Sequence, residues 1–241
     1  MALSATQQQR YSRHLLLDGF GTEGQERLLR AKVLVVGAGG LGSPVSLYLA
    51  AAGVGTIGIV DGDEVALSNL QRQVIHSTAA VGTPKVDSAA QRLSALNPDV
   101  QVERHPVFLT PDNAAQLIEP YDFVLDCTDN FVVKYLINDV CVQLGKPFSM
   151  GGIAQYSGQL MTHVPGTADY RCIFPEPPHT DSAQPVQPAG VLGSIVGILG
   201  TMQATECIKY LTGVGELLTD TLLTFDARDF EINKVAVAID N

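Results

Sequence analysis

The stretch "VVGAGGLG" at 35–42 sets Gly37, Gly39 and Gly42 at the spacing of a phosphate-binding turn. Glycine lets a backbone turn tightly and approach a phosphate closely, so the spacing points to a nucleotide without saying which one. Asp61 follows at roughly the distance where an acid meets a ribose hydroxyl in such folds. Next, "SNLQRQ" at 68–73 groups Asn69, Arg72 and Gln73. A guanidinium and polar amides suit the oxygens of a triphosphate, whereas a dinucleotide has little use for them. Lys85, directly after Pro84, adds an amine at the expected start of a helix, where the helix end also attracts anions. In "DCTDN", Asp126 and Asp129 close an apolar run, and a carboxylate at such a strand end can hold Mg²⁺ on phosphates. Taken one at a time, "NLQRQ" is a solvated loop and Lys85 an exposed first-turn lysine; it is their succession that argues for a site.

The elements that must position these residues alternate. The runs "KVLVVG", "GTIGIVD", "VQVERHP", "YDFVLDCTDN" and "KPFSMGG" predict strands. Between them, "SPVSLYLAAAG" predicts a helix closing at Gly53, "TPKVDSAAQRLSALNP" a helix capped by Thr83 with Pro84 at its first position, and "TPDNAAQLIEP" and "FVVKYLINDVCVQLG" two more. Residues 6–30 predict helix, interrupted by a turn around Gly19, Gly21 and Gly24. After about residue 150, "SGQLMTHV", "DTLLTFDA" and "FEINKVAVAI" predict strands without helices between adjacent pairs, hence antiparallel partners. The expected fold is α/β: a Rossmann-like, doubly wound, mostly parallel sheet extended by antiparallel C-terminal strands and preceded by an N-terminal helical segment. One domain is expected over 1–241, with helices in 1–30, the nucleotide-binding part in 31–150 and the extension in 151–241. Within the extension, 163–190 holds six of the 13 prolines and is expected to be a long crossover loop.

Composition narrows the function. A net charge of −10 disfavours nucleic acid and anionic membrane as partners, since both want a basic face. The uncharged run 189–205 is short of the roughly 20 residues of a span and is followed by Glu206 and Lys209, so it is expected to be a buried packing or subunit-contact helix. The N-terminus has no secretory pattern, which makes a cytoplasmic location the expectation. Cys127, Cys141, Cys172 and Cys207 lie far apart with no C-x-x-C pair, so neither a disulfide framework nor a zinc cage is signalled.

The ordered set "RYSRHLLLDGFGTEGQ", "VLVVGAGGLGSP", "LYLAAAGVG", "VDGDEVALSNLQRQ", "VGTPKVDSA", "LNPDV", "VLDCTDN", "YRC" and "AGVLGSIVGILGTMQATECIKYLTG" resembles the ThiF, MoeB and HesA group of E1-like adenylyltransferases over nearly the whole chain. That group activates the C-terminal Gly-Gly of small ubiquitin-like sulfur carriers with ATP. The resemblance implies that Gly40 and Asp61 contact ATP, with Asp61 on the ribose, and that Asn69, Arg72 and Lys85 bind its phosphates. Ser68, Gln73 and Asn130 would belong to the same nucleotide site. Asp129 would hold the Mg²⁺. Arg13 of "RYSRH" would reach into a neighbouring subunit's site, implying a homodimer. The activity implied is adenylation of a carrier's terminal glycine with release of pyrophosphate, in sulfur transfer for thiamine or molybdopterin-type cofactors.

The chain departs from that pattern twice. Where many members carry the first pair of a zinc site, this chain reads Asp169-Tyr170-Arg171-Cys172, and no second pair follows within its 241 residues, so no structural zinc is expected. Where members often place a cysteine before "AGV", this chain has Val186. Cys172 is expected to be a packed or idle thiol, and the sulfur is expected from an external, unidentified donor. Three alternatives stand beside the main reading: an NAD-dependent oxidoreductase, a member that binds its carrier without turnover, and adenylation of a peptide carboxylate or a tRNA base.

Overall fold

The structure, a computed structural model, describes residues 2–177 and 190–239. It opens with α1 (Ala5–Arg10) and α2 (Gly21–Arg30), followed by β1 (Lys32–Val36), α3 (Gly42–Ala52), β2 (Thr56–Val60), α4 (Lys85–Leu96) and β3 (Gln101–His105). Then come α5 (Ala114–Ile118), β4 (Phe123–Asp126), α6 (Phe131–Leu144), β5 (Phe148–Ala154) and β6 (Ser157–His163). The chain finishes with α7 (Tyr170–Ile173), α8 (Gly193–Thr212), β7 (Thr221–Asp226) and β8 (Glu231–Ala236).

The strands form one sheet in the order β3-β2-β1-β4-β5-β6-β7-β8. The first five run parallel and the last three pair antiparallel, the mixed layout that the sequence predicts. Alternation explains the two faces. Val33, Val35, Ile57 and Ile59 meet α2, α3, α4 and α8 on one side, while Leu34, Val36 and Val124 meet α5 and α6 on the other. Register aligns the strand ends that matter: Val36 sits opposite both Val60 and Asp126. Chain progression reverses between β1 and β4, and this is where an open α/β sheet leaves a crevice.

Three local expectations are corrected. In the N-terminal segment the interruption falls at 11–20, and Gly21 and Gly24 lie inside α2. A side chain at Gly24 would begin 3.1 Å from the ring of Phe20, which explains the glycine at this helical position. Thr83 does not cap α4: its hydroxyl donates to Ala80 O at 2.7 Å, and Pro84 takes the cap position. Residues 170–173 of the expected crossover loop are helical as α7, because the Asp169 side chain accepts from the Arg171 and Cys172 amides. The 189–205 run supplies most of α8, whose Ile195, Leu199, Gln203 and Cys207 are buried. No helix among the described residues is long and apolar enough to cross a membrane.

Candidate nucleotide site

The glycine turn leaves β1 at Val36 and enters α3. Gly37 has φ 98°, and a side chain there would meet Cys127 O at 2.8 Å. A side chain at Gly42 would run into Gly37 O, and one at Gly40 would come within 2.7 Å of Val196. Gly39 faces the amide of Gln73. α3 has no side-chain cap; Ser43 N donates to Gly39 O at 3.0 Å and Pro44 carries no N–H, so an anion would meet the amides of the turn itself.

Two side chains clamp this turn at Ala38. Its N–H donates to Asp61 Oδ2 at 2.8 Å, and its carbonyl lies 2.9 Å from His76 Nε2. The carbonyl can only accept, so Nε2 carries the proton and Nδ1 accepts from Ser88 Oγ at 2.9 Å. Burial holds the His76 pKa below its ordinary value, which favours this neutral ring.

Asp61 also takes the Asp63 amide on Oδ1 at 2.9 Å. Lys85 is not an exposed first-turn lysine. It is 6% exposed, with Nζ 2.8 Å from Asp63 and 3.8 Å from Asp61. Arg72 is half-buried, and its Nη1 donates to Ser68 O at 3.3 Å. Gln73 is buried, and its Oε1 has no partner among the described residues. Asn69 Oδ1 accepts from Ala66 N at 3.1 Å, shaping its own turn.

At the end of β4 the two acids part company. Asp126 is fully buried, and its oxygens are taken by Lys134 Nζ at 2.9 Å and by the Thr128 amide and hydroxyl at 2.9 and 2.7 Å. It has no oxygen left for a cation, which corrects its pairing with Asp129. Asp129 is exposed, and its carboxylate has no hydrogen bond or ion pair among the described residues. Asn130 caps α6, its Oδ1 accepting from Val132 N at 2.8 Å.

These groups meet on one cleft of about 1320 Å³. Gly37, Gly39, Gly40, Asp61, Arg72, Gln73, Lys85, Asp129 and Asn130 line it. Gly42, Ser68, Asn69 and Arg13 do not. Arg13 is exposed and has no partner among the described residues. A second arm of the cleft reaches Gly152, Gly158 and Gln159 and then Thr224 and Asn233 on the C-terminal hairpin.

A model of the ThiF family matches residues 11–241. The chain belongs to the ThiF family. Two similar proteins are the maize "Adenylyltransferase and sulfurtransferase MOCS3-2", 50% identical over 94% of this chain, and the Thermus thermophilus "Sulfur carrier protein adenylyltransferase", 47% identical over 95% of it. The chain spans 47% of the maize protein and 86% of the Thermus one. Among solved structures, Escherichia coli MccB with ATP superposes with a TM-score of 0.85 at 23% identity, covering 96% of this chain and 72% of that one, a likeness of fold.

In this ThiF-family chain Cys127, Cys141 and Cys207 are buried, and burial raises all three thiol pKa values. Cys172 is half-buried on α7. Val186 lies outside the described residues. Sequence reasoning missed four residues around the cleft: His76, Lys134, Gln203 and Phe108. Lys134 had a readable signal, a lone charge in the apolar run "FVVKYLIN". Gln203 Nε2 donates to Asp126 O at 2.9 Å and Ser149 O at 3.3 Å, tying α8 to β4 and β5. With Thr201, Thr205 and Glu206 close by in sequence, it gave no comparable signal.

Proposed function

We propose that this chain adenylates the C-terminal glycine of a small ubiquitin-like sulfur-carrier protein ending in Gly-Gly, using ATP and releasing pyrophosphate. The observation that carries this reading is the continuity of one cleft. A glycine turn, Asp61, Arg72 and Lys85 share it with an arm lined by Gly152 and Gly158. The first part suits a triphosphate, and the second suits a chain end without side chains. The names of the maize and Thermus relatives agree with it.

In this reading Asp61 holds the ribose while the glycine turn takes phosphate oxygens. The carrier's terminal carboxylate is already ionised, so no general base is required. One carboxylate oxygen bonds to the α-phosphorus as the bond to the leaving pyrophosphate oxygen breaks. Arg72 and Lys85 meet the charge that develops on the phosphates. Release of Lys85 from Asp63 would free its ammonium for this. Mg²⁺ fits Asp129, an open carboxylate beside the phosphate region, and when bound would neutralise phosphate charge, most of its ligands coming from phosphate and water. Ser68 and Asn69 serve by shaping the turn that presents Arg72 and Gln73.

Arg13 enters the reading only through a homodimer, in which a second copy brings it to the cleft. Its exposure and the exposed Leu16 and Leu17 beside it support that arrangement. The acyl-adenylate is then intercepted by an external sulfur source, with no role for Cys172, in cytoplasmic cofactor biosynthesis.

The test is ATP–pyrophosphate exchange with a Gly-Gly-ending carrier. Exchange is expected for the wild type and lost in Asp129→Ala. Exchange that survives Asp129→Ala overturns the site, and thermal stabilisation by NADH but not by Mg-ATP overturns the nucleotide assignment in favour of a dinucleotide.

A further inference from the structure

The loop leaving β3 places an aromatic ring at the rim of the cleft. Phe108 is 64% exposed, yet its Cγ, Cδ2 and Cε2 lie 2.8–2.9 Å from the point where a Cβ on Gly62 would sit. Near-equal distances to three ring atoms mean that a face of the ring, rather than its edge, rests on Gly62. The missing side chain makes that seat. The ring is therefore adjacent in space to the residue after Asp61, and both Phe108 and Gly62 line the cleft.

The seat is held from both ends. Asp61 N and Val107 N donate to the same carbonyl, His105 O, at 3.2 and 2.8 Å. Asn113 Nδ2 donates to Phe108 O at 3.0 Å, and Asn113 Oδ1 accepts from Thr110 N at 2.8 Å. Leu109 is buried in the core beneath. A loop fixed this closely, with its apolar ring left uncovered, offers a flat surface and little entropy to lose on binding.

We infer that Phe108 is the base platform of this site, stacking on the purine of the nucleotide whose ribose meets Asp61. The inference rests on the nucleotide reading above. Stacking of a base on an aromatic side chain is a face-to-face contact that an aliphatic group of similar volume does not reproduce.

The chain contains no tryptophan, so Phe108→Trp places a single tryptophan, excited selectively over the seven tyrosines, at the platform. Wild type, Phe108→Trp, Phe108→Leu and Phe108→Ala would be titrated with Mg-ATP by calorimetry and assayed for exchange. Expected are a retained affinity in Phe108→Trp and a roughly tenfold weaker Kd in Phe108→Leu and Phe108→Ala. KM for ATP should rise with the Kd in both, by a larger factor than kcat falls. Emission of Phe108→Trp should be quenched by Mg-ATP and not by Mg-tripolyphosphate. Equal affinity of wild type and Phe108→Leu, or quenching by tripolyphosphate as strong as by ATP, overturns the platform alone. Absence of Mg-ATP binding to the wild type overturns the nucleotide reading and the platform with it.

Discussion

The ammonium of Lys134 lies 2.9 Å from Asp126 Oδ2, and both side chains are buried. Lys134 also donates to Gly151 O at 2.6 Å, so one side chain from α6 binds the end of β4 to β5. Asp126 in turn fixes Thr128, one residue before Asp129. The pair thus positions the exposed acid from below. Removing one partner leaves a buried charge alone, which typically costs about 3–5 kcal/mol. Lys134→Met is expected to lower unfolding free energy by about that amount in urea denaturation. Adding Asp126→Asn to it should recover a substantial part, because the orphaned carboxylate is gone. A double variant no better than the single one would show that the ion pair is not the source of the loss.

Gly42→Ala should reverse a usual rule. Within a helix, alanine normally stabilises by about 1 kcal/mol over glycine. Here the methyl group would strike Gly37 O, so the turn or the start of α3 must move. The expected outcome is a lower melting temperature together with loss of Mg-ATP binding in calorimetry. A variant that binds Mg-ATP like the wild type would mean that the turn does not hold the phosphates.

His76 gives stability a pH dependence. Burial lowers its folded-state pKa from 6.5, so below that value the unfolded chain takes up a proton that the folded chain resists. This contribution is complete above pH 6.5 and is lost as pH falls toward the folded-state value. Denaturation series at several pH values should show the wild type losing stability in that window more steeply than His76→Gln. In that variant the amide can still donate to Ala38 O without titrating. Parallel profiles would remove His76 as the cause.

Thiol reactivity should be confined to one position. Cys127, Cys141 and Cys207 are buried with raised pKa values, which keeps them as thiols and out of reach. A thiol-reactive chromogen is expected to label Cys172 first under native conditions. Cys172→Ala should remove the fast phase while leaving pyrophosphate exchange intact. Loss of carrier sulfuration in that variant would instead give this thiol a role after adenylation.

The alternation of strands and helices was legible because apolar runs such as "VLVV" and "IGIV" bury on both faces of a parallel sheet, a pattern that turns rarely imitate. The antiparallel end was legible for the opposite reason at its short connections: β6 follows β5 and β8 follows β7 with no helix between them, while α7 and α8 separate β6 from β7. Which of two nearby acids faces the cleft was not legible. Asp126 and Asp129 look equivalent in "DCTDN", and the distinction comes from Lys134, eight residues on, which packs under one of them. Thr83 misled because its hydroxyl turns back to donate to Ala80 O and accepts from no amide of α4. Phe108 gave no signal, since an aromatic after a strand ordinarily joins the core, and only the seat on Gly62 shows that it does not.

Among the described residues the sheet ends in two rims, β3 and β8, and an edge strand offers backbone groups to a passing strand. Glu103 and Arg104 stand on one, Glu231 and Lys234 on the other. Charged side chains at such rims discourage the end-to-end growth by which open sheets turn into fibrils. Replacing them would put the colloidal behaviour of the chain at risk before its chemistry.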